Sequence, residues 1–159
     1  MIRLAAALLF LALPAQAQEP AGPALAVAEF AFRDTSGELR DQRSEHAERL
    51  DVFADTLREA LAESAEVVAL DCPGACNAVD PGLPALAEAA ASSGADLLLV
   101  GEFHKVSTLI GWIRLAVLDL EAEATLCERM LSYRGDTDEA WQRAADFAVR
   151  DVTTYCLPG

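Results

Sequence analysis

The stretch Ala95-Asp-Leu-Leu-Leu-Val-Gly-Glu-Phe-His-Lys-Val-Ser-Thr108 decides how this chain is read. Leu97 to Val100 are four consecutive large aliphatics, and they follow Gly94, which ends a helical pattern. A short run that is apolar at every position suits a strand buried on both faces, so it belongs at the centre of a sheet. Beyond Gly101 the segment turns amphipathic and carries Glu102, His104, Lys105, Ser107 and Thr108 out of the core. Ligands of open α/β sheets collect at the carboxyl ends of parallel strands. The end of this strand is therefore the first place expected to hold a site.

Outward from it, the preceding chain reads as αβ units. Leu25 to Arg33 alternates as one strand, with Ala26, Ala28, Phe30 and Phe32 on one face and Leu25, Val27 and Glu29 on the other. Asp34-Thr-Ser-Gly37 is turn chemistry. Ser44 is placed to cap a helix whose inner stripe is Leu50, Phe53, Ala54, Leu57 and Leu61. Glu66 to Asp71 is a short strand. Asp80-Pro81 reads as the start of a second helix that ends at Gly94. After the central strand, Trp112 to Leu120 and Ala124 to Arg134 form an antiparallel hairpin. Asp136 with Glu139 resembles a capping box opening the last helix, whose inner face is Trp141, Ala144, Ala145, Ala148, Val152 and Cys156. The order β-α-β-α-β-β-β-α predicts an α/β domain: a mixed sheet of about five strands covered by helices, its first three strands parallel. Trp112 and Trp141 are expected in the core.

The totals restrict the setting. Met1-Ile-Arg3, an apolar run from Leu4 to Leu13 and Ala15-Gln16-Ala17 have the layout of a secretory signal peptide cut near Ala17/Gln18. The expected organisation is a signal peptide over 1–17, a flexible leader over 18–24 and a single α/β domain over 25–157. The run from Leu4 to Leu13 is too short to span a bilayer as a helix, and no second apolar run is long enough. The formal net charge of −14 repels nucleic acid and anionic lipid and favours partners with a basic surface.

Four cysteines in an exported chain suggest two disulfides, with three connectivities possible. Cys72–Cys76 and Cys127–Cys156 are favoured, because Cys156 falls on the inward stripe of the last helix. Cys72-Pro-Gly-Ala-Cys76 also resembles the Cys-Pro-x-x-Cys loop of copper-delivery proteins of the Sco type. That resemblance implies Cu(I) held by two thiolates, with His104 as a nitrogen donor. The remainder of the chain departs from that family, and the plainer reading is a small structural disulfide. Glu102 and His104 share a strand face, a pair suited to holding a ligand. With Asp34, Lys105 and Ser107 they make up the candidate ligand-binding set. No catalytic residue is assigned. Walker, nucleophile-elbow and His-Glu-x-x-His motifs are missing, and two histidines cannot build a multi-histidine metal centre.

Val27-Ala-Glu-Phe-Ala-Phe32 with Asp34-Thr-Ser-Gly37, Glu45-His-Ala47, Gly101-Glu-Phe-His-Lys-Val-Ser-Thr-Leu109 and Arg134-Gly-Asp-Thr-Asp-Glu-Ala-Trp141 together resemble a family of secreted proteobacterial proteins, the domain of unknown function catalogued as 2380. The element order and the opening strand also resemble the amino-terminal domain of TolB and curli-secretion lipoproteins. These resemblances imply a TolB-like fold and an envelope assembly or interaction role. The expectation is thus a periplasmic or secreted accessory domain, more an interaction part than an enzyme, working through an envelope protein and without a cofactor. The alternatives are a copper-binding or thiol-redox protein using Cys72 and Cys76, and a small-ligand binder at the carboxyl edge of the sheet.

Overall fold

The structure, a computed structural model, describes residues 22–157. The expected signal peptide and residues 18–21 of the leader lie outside the described residues. The elements are β1 (Ala24–Val27), β2 (Ala31–Asp34), α1 (Arg43–Leu61), β3 (Glu66–Val68), α2 (Leu83–Ser92), β4 (Leu97–Lys105), β5 (Ile110–Asp119), β6 (Ala124–Arg134) and α3 (Asp138–Tyr155). They build one mixed α/β sheet in the order β3-β1-β4-β5-β6, with β2 also paired to β4. β1, β2, β3 and β4 run parallel where they pair, and β4, β5 and β6 form an antiparallel meander. The aliphatic run 97–100 is the middle of the central strand β4, as its two-sided hydrophobicity requires.

The single strand expected over Leu25 to Arg33 is broken in two. Val27 pairs with Leu99, but Ala31 pairs with Glu102, so β1 and β2 together hold one residue more than the stretch of β4 opposite. One extra residue is a bulge, and it reverses the alternation. Leu25, Val27, Phe30 and Phe32 therefore all reach the same core, while Ala26 and Ala28 face the other way. The sequence-based alternation had placed Phe30 and Phe32 with Ala26 and Ala28. The bulge is held by partners outside the regular ladder. Arg58 of α1 donates to the Val27 carbonyl at 3.2 Å, and the Glu29 N–H donates to the Cys76 carbonyl at 2.8 Å.

α1 and α3 cover one face of the sheet. Phe53, Leu57 and Leu61 from α1 and Trp141, Ala145, Ala148 and Val152 from α3 pack on Leu25, Leu99, Phe103, Ile113, Leu115 and Val117. The centre of this core is aromatic. Phe103 stacks on Trp141 with centroids 4.4 Å apart and meets Phe53 edge-on at 4.6 Å. Fully burying side chains of this size contributes about 1.5–3 kcal/mol each. α2 covers part of the second face, with Leu86 and Ala90 against Ala26, Ala28, Leu98 and Val100.

Four local expectations are corrected. α1 begins after Gln42 rather than Ser44, and no side chain caps it. α2 begins at Leu83, because Asn77 to Asp80 is held in a turn by the Asn77 carboxamide oxygen, which accepts from the Val79 and Asp80 amides at 3.0 Å each. The second strand stops at Val68, where its pairing with β1 ends at Ala26. The cap of α3 is Thr137, whose hydroxyl accepts from the Ala140 amide, and not Asp136. That one-residue displacement releases Asp136 for other contacts.

Both expected disulfides are present, Cys72–Cys76 and Cys127–Cys156. The second ties β6 to the end of α3.

Candidate functional site

β4 ends with its last residue, Lys105, pointing to the α1/α3 face, since 97, 99, 101, 103 and 105 share that side. A lysine buried to 1% exposure needs partners in every direction its ammonium can donate. It finds them in Asp136 at 2.6 Å, the Gln42 carboxamide oxygen at 2.8 Å and Glu38, with Asp34 at 3.9 Å. Asp136 in turn collects donors from α1, from α3 and from the residue that precedes α1. His46 Nε2 lies at 3.0 Å, Arg49 Nη1 at 3.0 Å, Trp141 Nε1 at 3.1 Å and Gln42 Nε2 at 3.4 Å. His46 is itself buried and packs beside the rings of Phe32 and Trp141, the three making one aromatic group.

The electrostatics follow from this crowding. Burial alone would push the Asp136 carboxyl up. The hydrogen bonds from Lys105, His46 and Trp141 outweigh it and bring its pKa down to about 2. Burial opposes the charge on Lys105 as well, but its bonds to Asp136 and Glu38 raise its pKa above the ordinary lysine value. Burial likewise opposes ionisation of Asp34, yet the hydrogen bonds from Ser36 and the charge of Lys105 leave its pKa lowered. Both members of the central pair thus remain charged across the neutral range.

Beside this cluster, α1 and α3 leave a groove of about 680 Å³. Phe53, Trp141 and Ala145 supply apolar wall, while Glu48, Arg49 and Asp138 supply charge. Arg49 connects groove and cluster, because its Nε also donates to Asp138 at 2.7 Å.

The residues expected at the strand edge are divided among separate duties. Asp34 and Lys105 join the cluster. Ser107 is engaged in the β4–β5 turn, where its hydroxyl oxygen accepts from the Leu109 and Ile110 amides at 3.3 and 3.1 Å. Glu102 and His104 do share a face, but it is the opposite one. There Glu102 pairs with Arg33 at 3.2 Å, and the His104 ring lies 2.7 Å from the Thr35 hydroxyl. Cys72 and Cys76 are not gathered with them. Cys76 packs near Leu98 and Val100, and its amide donates to the Glu29 carboxylate at 3.1 Å. From Val100 to His104 is about 13 Å along a strand. The reason is the shortness of β3, which opens its following loop halfway along β4.

Sequence reasoning missed Glu38, Gln42, His46 and Arg49 as members of one cluster and assigned Asp136 to capping. The available signal was His46, which lies one turn before Leu50 on the buried stripe of α1. A histidine on an apolar stripe requires a polar partner.

A second surface is set by what α2 leaves uncovered. Past Val100, the second face of the sheet carries Arg33, Glu102, His104, Trp112, Arg114 and Met130 in adjacent strands. Trp112 is 41% and Met130 56% exposed. Trp112 is therefore not the core residue that its type suggested, since among the described residues no helix lies over its half of the sheet. Trp141 is buried.

No helix among the described residues is long and apolar enough to cross a membrane. No curated protein matches the chain. Among solved structures, the PelC dodecamer from Paraburkholderia phytofirmans aligns with a TM-score of 0.56 at 13% identity, over 87% of this chain and 90% of that one. The hypothetical protein CT253 from Chlamydia trachomatis aligns with a TM-score of 0.51 at 14% identity, over 84% and 97%. TolB from Acinetobacter baumannii aligns with a TM-score of 0.49 at 11% identity, over 88% of this chain and 31% of that one. At these identities the likeness to PelC and CT253 is one of fold. The sequence relationship is closer to home. The segments around Asp34, His46, Lys105 and Asp136, far apart along the chain, meet in one buried cluster, and the family model spanning them matches residues 23–152: the chain belongs to the family described as protein of unknown function (DUF2380).

Proposed function

We propose that this protein is an exported, non-enzymatic interaction domain of the cell envelope that engages a protein partner through the uncovered half-face of its sheet. The observation that carries this reading is the exposed tryptophan and methionine on the uncovered sheet face, set among Arg33, Glu102 and Arg114. Large apolar side chains rimmed by charge are what a binding surface offers. The signal-like segment 1–17 and the two disulfides support an oxidising compartment such as the periplasm. The PelC dodecamer supports the reading further, as a case of the same fold in an assembly. A net charge of −14 favours a partner with a basic surface.

The test is site-specific photo-crosslinking in intact cells of the source organism. A crosslinker replacing Trp112 is expected to yield a discrete adduct, and one at Leu39, on the exposed loop after β2, none. Identical patterns from both positions would remove the proposal.

A second reading is favoured by the groove beside Asp136: binding of a small ligand. Its 680 Å³ lies within the range of small-molecule sites. A thermal-shift screen with small cations, anions and amines tests it, since a specific ligand raises the melting temperature by mass action. Copper binding at Cys72 and Cys76 would require the disulfide to be reduced. Cu(I) titration of the reduced protein, with Cys72→Ser as the control, tests that alternative.

A further inference from the structure

The sheet has two sides of unequal kind. One ends in the short strands β3 and β2, of three and four residues, whereas the other ends in β6, of eleven. Long edges are ordinarily blunted by proline, lysine or a bulge, because their free N–H and C=O groups template pairing with another strand. The register irregularity of β6 lies beside Val117 and Leu118, toward its start. From Cys127 to Arg134 the strand is regular and contains neither proline nor lysine. Among the described residues, no backbone hydrogen bond outside the sheet reaches 124–134. We infer that β6 is a self-association edge, on which the β6 strand of a second copy of this chain pairs antiparallel about a two-fold axis at Leu131.

Charge selects both the occupant and the register. The chain carries 26 acidic and 12 basic residues, so two copies repel over most of their surfaces. β6 is an exception, with one glutamate and two arginines. Glu128, Met130, Ser132 and Arg134 alternate on the uncovered face of the sheet. With the axis at Leu131, Glu128 of each copy lies opposite Arg134 of the other, and Met130 lies opposite Ser132. An axis at Arg129 would instead set that arginine against its own copy. Both charged side chains are available. Glu128 is exposed and makes only an exposed contact with Arg114 at 3.7 Å, and Arg134 makes no ion pair among the described residues. Pairing of this kind joins two five-strand paths into one continuous sheet and leaves Trp112 uncovered in each half. It uses the backbone edge of β6 rather than the face around Trp112; Met130 borders both, but crosslinking at Trp112 and charge reversal at Glu128 and Arg134 read the two separately.

Sedimentation velocity of the oxidised mature protein from micromolar to millimolar concentration tests the inference. A monomer–dimer equilibrium is expected. Glu128→Arg and Arg134→Glu should each weaken dimerisation by about tenfold, since opposed charges across strands become like charges. The double variant Glu128→Arg with Arg134→Glu should recover it. Melting temperatures unchanged at dilutions where the wild type is monomeric would show that the variants are folded. A monomer at every concentration, association indifferent to the single reversals, or failure of the double variant to recover would each overturn the two-fold β6 pairing. A Trp112→Ala variant that dimerises normally agrees with it, while loss of dimerisation in that variant would place the contact on the sheet face instead and overturn it.

Discussion

Asp136 is the residue on which the buried polar cluster turns. Four side chains donate to it within 3.2 Å: His46, Arg49, Lys105 and Trp141. Removing its charge leaves Lys105 buried, with Glu38 and Gln42 as remaining close partners. Breaking one side of such a pair costs about 3–5 kcal/mol. Asp136→Ala is therefore expected to lower unfolding free energy by that order in a urea titration at neutral pH. The pH dependence has a definite sign. The folded pKa of Asp136, about 2, lies below its unfolded value of 3.8, so its contribution is complete above pH 3.8 and is lost as the pH falls toward 2. The size is about 2 kcal/mol. Lys105 has the opposite linkage. Its raised pKa stabilises the fold below the ordinary lysine value of 10.5 and loses that effect as the pH climbs through the folded value. Urea midpoints of the wild type should fall between pH 4 and pH 2 more steeply than those of Asp136→Asn. Equal slopes would show that Asp136 is not held in its charged form by these neighbours.

At the scale of elements, the bulge between β1 and β2 depends on a glycine. Phe30 lies so close over Gly101 that a Cβ there would sit 2.0 Å from the ring. Gly101→Ala is expected to cost about 1–3 kcal/mol through overpacking. The same substitution in a Phe30→Leu background should cost clearly less, and the double-mutant cycle measures the difference. Additive costs would mean that the contact is not what Gly101 is for. The two disulfides also differ in kind. Cys127–Cys156 closes a separation of 29 residues and Cys72–Cys76 one of 4. On loop-entropy grounds the first contributes about 3.5 kcal/mol and the second about 2 kcal/mol. Serine replacement of Cys127 and Cys156 should therefore lower stability more than replacement of Cys72 and Cys76. A reversed order would show that the small loop carries a strain or solvation role that chain entropy omits.

For the whole molecule, the acidic surplus is a cost of compactness as well as a source of solubility. Exposed like charges are screened over about 10 Å at 0.1 M salt. Raising sodium chloride from low ionic strength is expected to increase the melting temperature, in contrast to a fold held mainly by surface ion pairs, which salt weakens. Net destabilisation by salt would place the exposed pairs, such as Arg33 with Glu102, above the global repulsion. Screening should also assist association of copies, except at the β6 edge, where opposed charges make salt unfavourable.

Sequence periodicity by itself determined the element order apart from the break between β1 and β2, the central strand, the inner stripes of α1 and α3 and, through the inward position of Cys156, the disulfide from β6 to α3. Those readings rest on neighbours two to four residues apart, which strand and helix geometry place on one face. The site was legible only in fragments. Asp34 and Lys105 were drawn from the strand edge, and His46 and Asp136 stood in the family-like segments without a common role. Only the tertiary structure decided that these four meet, because Lys105 and Asp136 become buried partners through α1 and α3 closing over the end of β4. It decided in the same way that His104 and the Cys72–Cys76 loop stay apart, and that Trp112 remains exposed. Which face Phe30 and Phe32 take depends on one extra residue between β1 and β2, and whether a face is covered depends on how far a helix extends, neither of which a local pattern contains.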